Sequence, residues 1–166
     1  MGNIKLRQKK PDEAAAYFEK VIKKAPQDPR GYASLGFAYE MQKNHRAAIE
    51  QFEKALSINP DLVDVLSMIT AIHLANKEPQ KAIDRVTIHI NKSSQNPLLY
   101  HLLGRVYMVI KDLNKAEDAL KKVIDMKNDV VGAYIDLGTI YAQKGALDDA
   151  VKHYNEAIKI NPKLLQ

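Results

Sequence analysis

Five alanines, Ala14, Ala48, Ala82, Ala116 and Ala150, stand 34 residues apart, and Gly36, Gly104 and Gly138 fall on a second column of the same period. A chain that returns to the same residue every 34 positions is expected to be a row of copies of one small unit, each packed on its neighbours rather than around a single central core. The stretch from Pro29 to Leu62 shows the unit most fully. Its first half sets Tyr32, Leu35, Gly36 and Tyr39 at i, i+3, i+4, i+7, and its second half sets Ala48, Phe52, Ala55 and Leu56 at i, i+4, i+7, i+8. Both are helix spacings. Asp28 before Pro29 is a helix start, a polar cap followed by a ring whose missing N–H costs nothing there, and Asn59-Pro60 ends the second helix. Lys43, Asn44 and His45 are expected to form the turn between them. The unit is a helical hairpin.

A 34-residue hairpin period with this order of aromatic, Leu-Gly, Tyr, Ala, Phe, Ala and Pro resembles the tetratricopeptide repeat family. Pro29 to Leu62 and Val131 to Leu164 match that pattern nearly throughout, with Tyr32 and Tyr134 where the family often has Trp. The resemblance implies an all-α fold, a right-handed α-solenoid of stacked hairpins that binds other proteins. The boundaries follow from the period: a partial repeat over 1–28, repeats over 29–62, 63–96, 97–130 and 131–164, and a tail of residues 165–166.

Two repeats depart from the pattern. In 1–28, Gly2 lies 12 residues before Ala14, as Gly36 lies 12 before Ala48, so the chain begins inside a first helix; Met1 falls in the column of Leu35, and Lys5 in that of Tyr39. We read this segment as the trimmed end of a longer array. In 63–96, Thr70 replaces the close-approach glycine and His89 a small residue, which predicts a changed crossing angle or a hinge. The last repeat ends at Leu164 with no polar closing helix in view, so its outer face is expected to be apolar, for another copy or the rest of a longer chain to cover.

Composition narrows the function. The net charge is +5, but a surplus of +3 sits in residues 1–28, where Lys5, Arg7, Lys9 and Lys10 cluster; elsewhere the signs alternate. That is not the basic stripe of a nucleic-acid binder. Without cysteine there is no disulfide or thiolate metal site, and the redox compartment stays open. No apolar run reaches membrane-spanning length, so no membrane insertion is expected, and no signal peptide precedes the repeats. This reading favours the cytoplasm, with the periplasm open if the chain belongs to a longer one. No HExxH, Gly-x-Ser-x-Gly or phosphate-cradling loop occurs, so neither catalysis nor a cofactor or metal is expected.

In this family the first helices of successive hairpins line a concave groove, and the resemblance carries that role onto Arg30, Ala33, Phe37, Glu40 and Met41, then Ser67, Ala71 and Leu74. It continues onto His101, Arg105, Met108 and Val109, and then Ile135, Thr139 and Gln143. Phe37, Met41, Leu74, Met108, Val109 and Ile135 are apolar side chains that the stack alone would leave wet, which points to a partner peptide or helix. His101 and Arg105, four apart, either grip an anion or form a polar groove wall. The Lys and Asn residues with which one subclass clamps a terminal carboxylate are absent from this face. His73 and His89 are expected to be buried and hydrogen-bonded, and His45 and His153 to lie at the surface. The readings kept open are a scaffold with an apolar groove, a self-assembly module stacking through its ends, and the docking arm of a larger enzyme or secretion complex.

Overall fold

The computed structural model describes residues 1–165, with side chains as far as Leu164. Among these residues every regular element is helical, and the chain divides into two compact units, Met1–Asn76 and Lys77–Gln166. The first holds α1 (Gly2–Arg7), α2 (Pro11–Lys24), α3 (Pro29–Met41), α4 (His45–Ile58) and α5 (Val63–Ala75). The second holds α6 (Pro79–Lys92), α7 (Pro97–Val109), α8 (Leu113–Met126), α9 (Val131–Gln143), α10 (Leu147–Ile160) and a closing 3-10 turn at Pro162–Leu165. Within each unit, sequential helices pack on one another. The division falls in the turn after α5, inside the 63–96 repeat that carries Thr70 and His89.

The period extends to the turns. Those joining the first helix of a repeat to the second span three residues, such as Gln42–Asn44 and Ile110–Asp112; those leading to the next repeat span four, such as Ala25–Asp28 and Lys127–Val130. His45 is therefore not in the turn, as its polarity suggested, but opens α4, with Asn44 as the cap that accepts from the Ala47 amide at 3.2 Å. Asp28, Asn96 and Asp112 cap α3, α7 and α8 in the same way. Each three-residue turn has at its middle a residue with positive φ: Lys9, Lys43, Lys77, Lys111 and Gly145, a further column at 34-residue spacing. Only the last is a glycine, so four lysines hold a conformation that ordinarily costs about 1–2 kcal/mol for a residue with a Cβ.

The glycine column sets how closely the two helices of a hairpin approach. A Cβ on Gly36 would stand 2.6 Å from the Phe52 ring, on Gly104 2.8 Å from Leu120 Cγ, and on Gly138 2.6 Å from the Tyr154 ring. Gly2, on α1, meets Phe18 at 2.5 Å in the same manner, so the first six-residue helix completes a hairpin with α2. In each case the large residue lies 16 positions on. In the 63–96 repeat these two columns hold Thr70 and Val86, both buried, and the Thr70 hydroxyl donates to the Ser67 carbonyl at 2.8 Å.

Successive repeats are joined by polar contacts as well as by burial. In the first unit, Gln42 Nε2 donates to Asp12 Oδ1 at 2.8 Å across α3 and α2. In the second, Glu117 on α8 receives Lys121 and Lys144, each at 2.6 Å, and the Tyr141 hydroxyl at 2.8 Å. Lys144 also donates to Asn114 at 2.8 Å. Hydrogen bonds first from Lys121 and then from Lys144 hold the Glu117 carboxyl down to about 2. His153 is half-buried rather than a plain surface residue. It lies parallel to the Tyr141 ring, with centroids 5.1 Å apart, its Nδ1 is buried without a hydrogen-bond partner, and burial lowers its pKa. His45 is half-buried too, with its Nδ1 likewise unpartnered.

Candidate functional site

The hairpin explains why the first helices carry the candidate face. Their Leu and Gly columns turn inward against the second helix, which leaves the residues on the other side of α3, α5, α7 and α9 free of hairpin packing. On the first unit, Phe37 and Met41 are exposed one turn apart on α3, and Phe37 lies beside Ala33, Ser34, Leu6, Asn3 and Arg7 in a shallow cleft between α1 and α3. Arg30 stands at the start of this face, but its guanidinium folds back onto Asp28, with Nη2 2.7 Å from the carboxylate, and holds that carboxyl below its ordinary range. Glu40 and Ser67 are half-buried, and the Ser67 hydroxyl is turned onto the Asp64 carbonyl. Ala71 is exposed and Leu74 half-buried on α5.

On the second unit, Arg105 and Val109 are exposed on α7, as is Leu98 two turns before Arg105, while Met108 is half-buried. His101 is engaged elsewhere: its Nε2 lies 2.9 Å from Asp136 Oδ2 on α9, and its ring fills the space that a Cβ on Gly132 would need. An anion grip shared by His101 and Arg105 therefore loses its histidine, which already faces a carboxylate. Ile135 is half-buried. Thr139 is also taken up in packing, donating to the Ile135 carbonyl at 2.9 Å and lying 3.2 Å from the Tyr154 hydroxyl on α10. Gln143 is exposed at the end of α9.

Of the six apolar residues expected to be wet, Phe37, Met41 and Val109 are exposed, and Leu74, Met108 and Ile135 are half-buried. Sequence reasoning missed the contribution of α1 to the cleft, although Leu6 and Asn3 were legible as its lining once α1 was placed beside α3. The lysine column at positive φ was also missed; its signal was the alignment of Lys9, Lys43, Lys77 and Lys111 with Gly145. Among the described residues no cluster of His, Asp and Glu is placed to hold a metal ion, and no helix is long and apolar enough to cross a membrane.

Comparison with known proteins agrees with the geometry. The chain is 26% identical over 120 residues to the bovine (Bos taurus) BBSome complex member BBS4, covering 71% of the chain and 22% of that protein. It is 27% identical over 143 residues to the mitochondrial import receptor subunit TOM70 of Rattus norvegicus, covering 86% of the chain and 18% of that protein. The chain thus spans about a fifth of the length of these curated relatives. The crystal structure of MamA superposes with a TM-score of 0.68 at 27% identity, over 99% of this chain and 96% of that one. MamA is a helical-repeat solenoid, and the fold class here is the same. Models described as tetratricopeptide repeat match residues 1–62, 98–130 and 131–164. With its 34-residue hairpins and glycine-to-ring contacts, the chain belongs to the tetratricopeptide repeat family.

Proposed function

We propose that the chain is a non-enzymatic protein-interaction scaffold that holds an apolar or amphipathic segment of a partner protein against the exposed faces of its first helices. The observation that carries this reading is the exposure of Phe37 and Met41 beside the cleft lined by Leu6 and Ala33, with Val109 next to the half-buried Met108 on α7. Large apolar side chains on a face of each unit that hairpin packing does not need favour a partner's burial over solvent. Methionine adapts to the shape of what it meets, and Arg105, exposed on the same helix, is suited to a carbonyl or carboxylate of the bound segment. The face is already ordered as helix, so the partner rather than the scaffold loses conformational freedom on binding.

Selection of a displayed random-peptide library against the wild-type chain, with Phe37→Glu/Met108→Glu as the counter-target, tests the reading. Enriched peptides should carry apolar residues at helical spacing and lose binding to the double variant, while circular dichroism shows unchanged helicity. Peptides that bind both chains equally would place the site elsewhere; a double variant that unfolds would show these side chains to be core.

A further inference from the structure

The His153 ring on α10 is held where a second N–H proton has nowhere to go. It lies parallel to the Tyr141 ring of α9, 4° off and with centroids 5.1 Å apart, and Tyr134 of the same helix stands tilted at 6.2 Å. Nδ1 is buried and, among the described residues, has no hydrogen-bond partner. A neutral imidazole carries one N–H and leaves the other nitrogen bare, whereas an imidazolium must donate from both. One of those donors would here face protein that offers no acceptor, a costly way to bury a charge. The stack by itself favours a cation, since an aromatic face attracts one. The rest of the surroundings oppose it.

The charged and titratable groups facing the ring come from three helices. On α10, Lys152 opposes a charge on His153 and Asp149 favours it; on α8, Lys121 opposes it and Glu117 favours it; α9 brings the hydroxyls of Tyr134 and Tyr141. Glu156, one turn on, is paired with Lys159 at 2.6 Å, and the 3-10 turn against the end of α10 adds Lys163 alone. Neither favourable carboxylate is free to answer the ring: Glu117 already accepts from Lys121, Lys144 and Tyr141, and Asp149 is exposed to water. Burial is the largest influence, and it pushes the imidazole below its ordinary value.

We propose that protonation of His153 releases the α9–α10 hairpin, which makes the ring an acid-sensitive latch within the 131–164 repeat. Tyr141 joins the two sides of the latch: its ring holds His153 of α10, and its hydroxyl donates to Glu117 of α8 at 2.8 Å. Loss of the stack frees the ring that carries that bond, so opening spreads from α10 to the joint between α9 and α8. The latch does not depend on what the exposed faces of the first helices bind. As pH falls, the opened hairpin, with its imidazole in water, takes up the proton first, near 6.5, and the closed one only lower. Stability is therefore full above about 6.5, is lost between that value and the lower folded one, and levels off beneath it. Glu117, held at about 2, stays ionised throughout this window.

Hydrogen–deuterium exchange of the 166-residue chain at about pH 7.5 and about pH 5.5, corrected for the intrinsic pH dependence of exchange, tests the latch. In the wild type the opening constant of α9 and α10 should rise as pH falls, by up to about tenfold per pH unit for the one proton taken up. α2, which holds no histidine, should stay protected. In His153→Phe, which keeps a ring against Tyr141 but takes no proton, the rise should disappear. An NMR titration of the His153 Cε1–H in the wild type should give a value below the ordinary 6.5, a reading that needs no variant to fold. The latch is overturned by a His153 that titrates at or above 6.5, or by exchange in α9 and α10 that does not change with pH. It is equally overturned by a rise that persists in folded His153→Phe, or by a rise of the same size in α2.

Discussion

Replacing Gly104 by threonine transplants half of the 63–96 pattern into the α7–α8 hairpin. A Cβ at 104 would stand 2.8 Å from Leu120 Cγ, 3.0 Å from its Cδ2 and 3.4 Å from the Ala116 carbonyl. Leu120 is fully buried, so it has no solvent-side rotamer to retreat to. Overpacking of this kind costs about 1–3 kcal/mol, while threonine regains only a few tenths of a kcal/mol of helix propensity over glycine. The hydroxyl adds no unsatisfied group, because Thr70 shows that it can bond the carbonyl three residues back. A net loss of roughly 1–3 kcal/mol should lower the thermal midpoint by about 2–4 °C for each kcal/mol. The second arm adds Leu120→Val, the residue that Val86 places in that column. If the clash with residue 120 is the cause, Gly104→Thr/Leu120→Val should be more stable than the two single losses sum to, by roughly 0.5–3 kcal/mol in a double-mutant cycle. The assay is urea unfolding followed by far-ultraviolet circular dichroism. A Gly104→Thr chain as stable as the wild type, or a double variant that is simply additive, would refute close approach as the reason for glycine in this column.

Lys111 holds φ at 63° in an exposed turn, so Lys111→Gly should stabilise the chain by roughly 0.5–1 kcal/mol in the same assay, and Gly145→Lys, at φ 78° with open space around it, should cost about as much. Glu117 is held at about 2 by Lys121 and Lys144, below its unfolded value near 4.3. Its contribution is therefore full above the unfolded value and disappears as pH falls through the folded one. Urea midpoints from pH 7 down to about 2 should fall more steeply for the wild type than for Glu117→Gln, and parallel curves would show that the network adds nothing.

The repeat and its helices were legible because they rest on local terms: apolar columns at 3.6-residue spacing, Asp28-Pro29 and Asn96-Pro97 starts, and glycines where helices touch. What escaped lay between repeats. His101 meets Asp136, 35 residues away, and no spacing within α7 announces that contact. His153 sits among Lys152, Asp149 and Asn155, and so reads as solvent-facing, yet its ring stacks on Tyr141 of the preceding helix. Leu74 and Met108 share a column with the half-buried Glu40, and Ile135 shares one with the half-buried Ala33, Ser67 and His101, so their partial burial recurs with the repeat and comes from neighbours that one helix does not reveal. The lysines at positive φ were hidden for another reason: lysine in a turn looks like ordinary solvent chemistry, and only the glycine at the fifth position shows that the backbone there is left-handed.

The equal turns bear on which sequences of repeats this backbone can carry. If residues 97–130 were removed, Asn96 would run directly into Val131 through a connection of the usual four residues, and the cap now missing before α9 would be supplied by an asparagine that already performs that task. No loop would be stretched. The side chains at the joint would change instead: Tyr141 would face the column of Ile83 where it now finds Glu117, and Lys144 would face Gln80 in place of Asn114. Turn length does not fix the order of the hairpins. That order is written in the polar pairs between them, so two repeats of identical shape are not interchangeable neighbours.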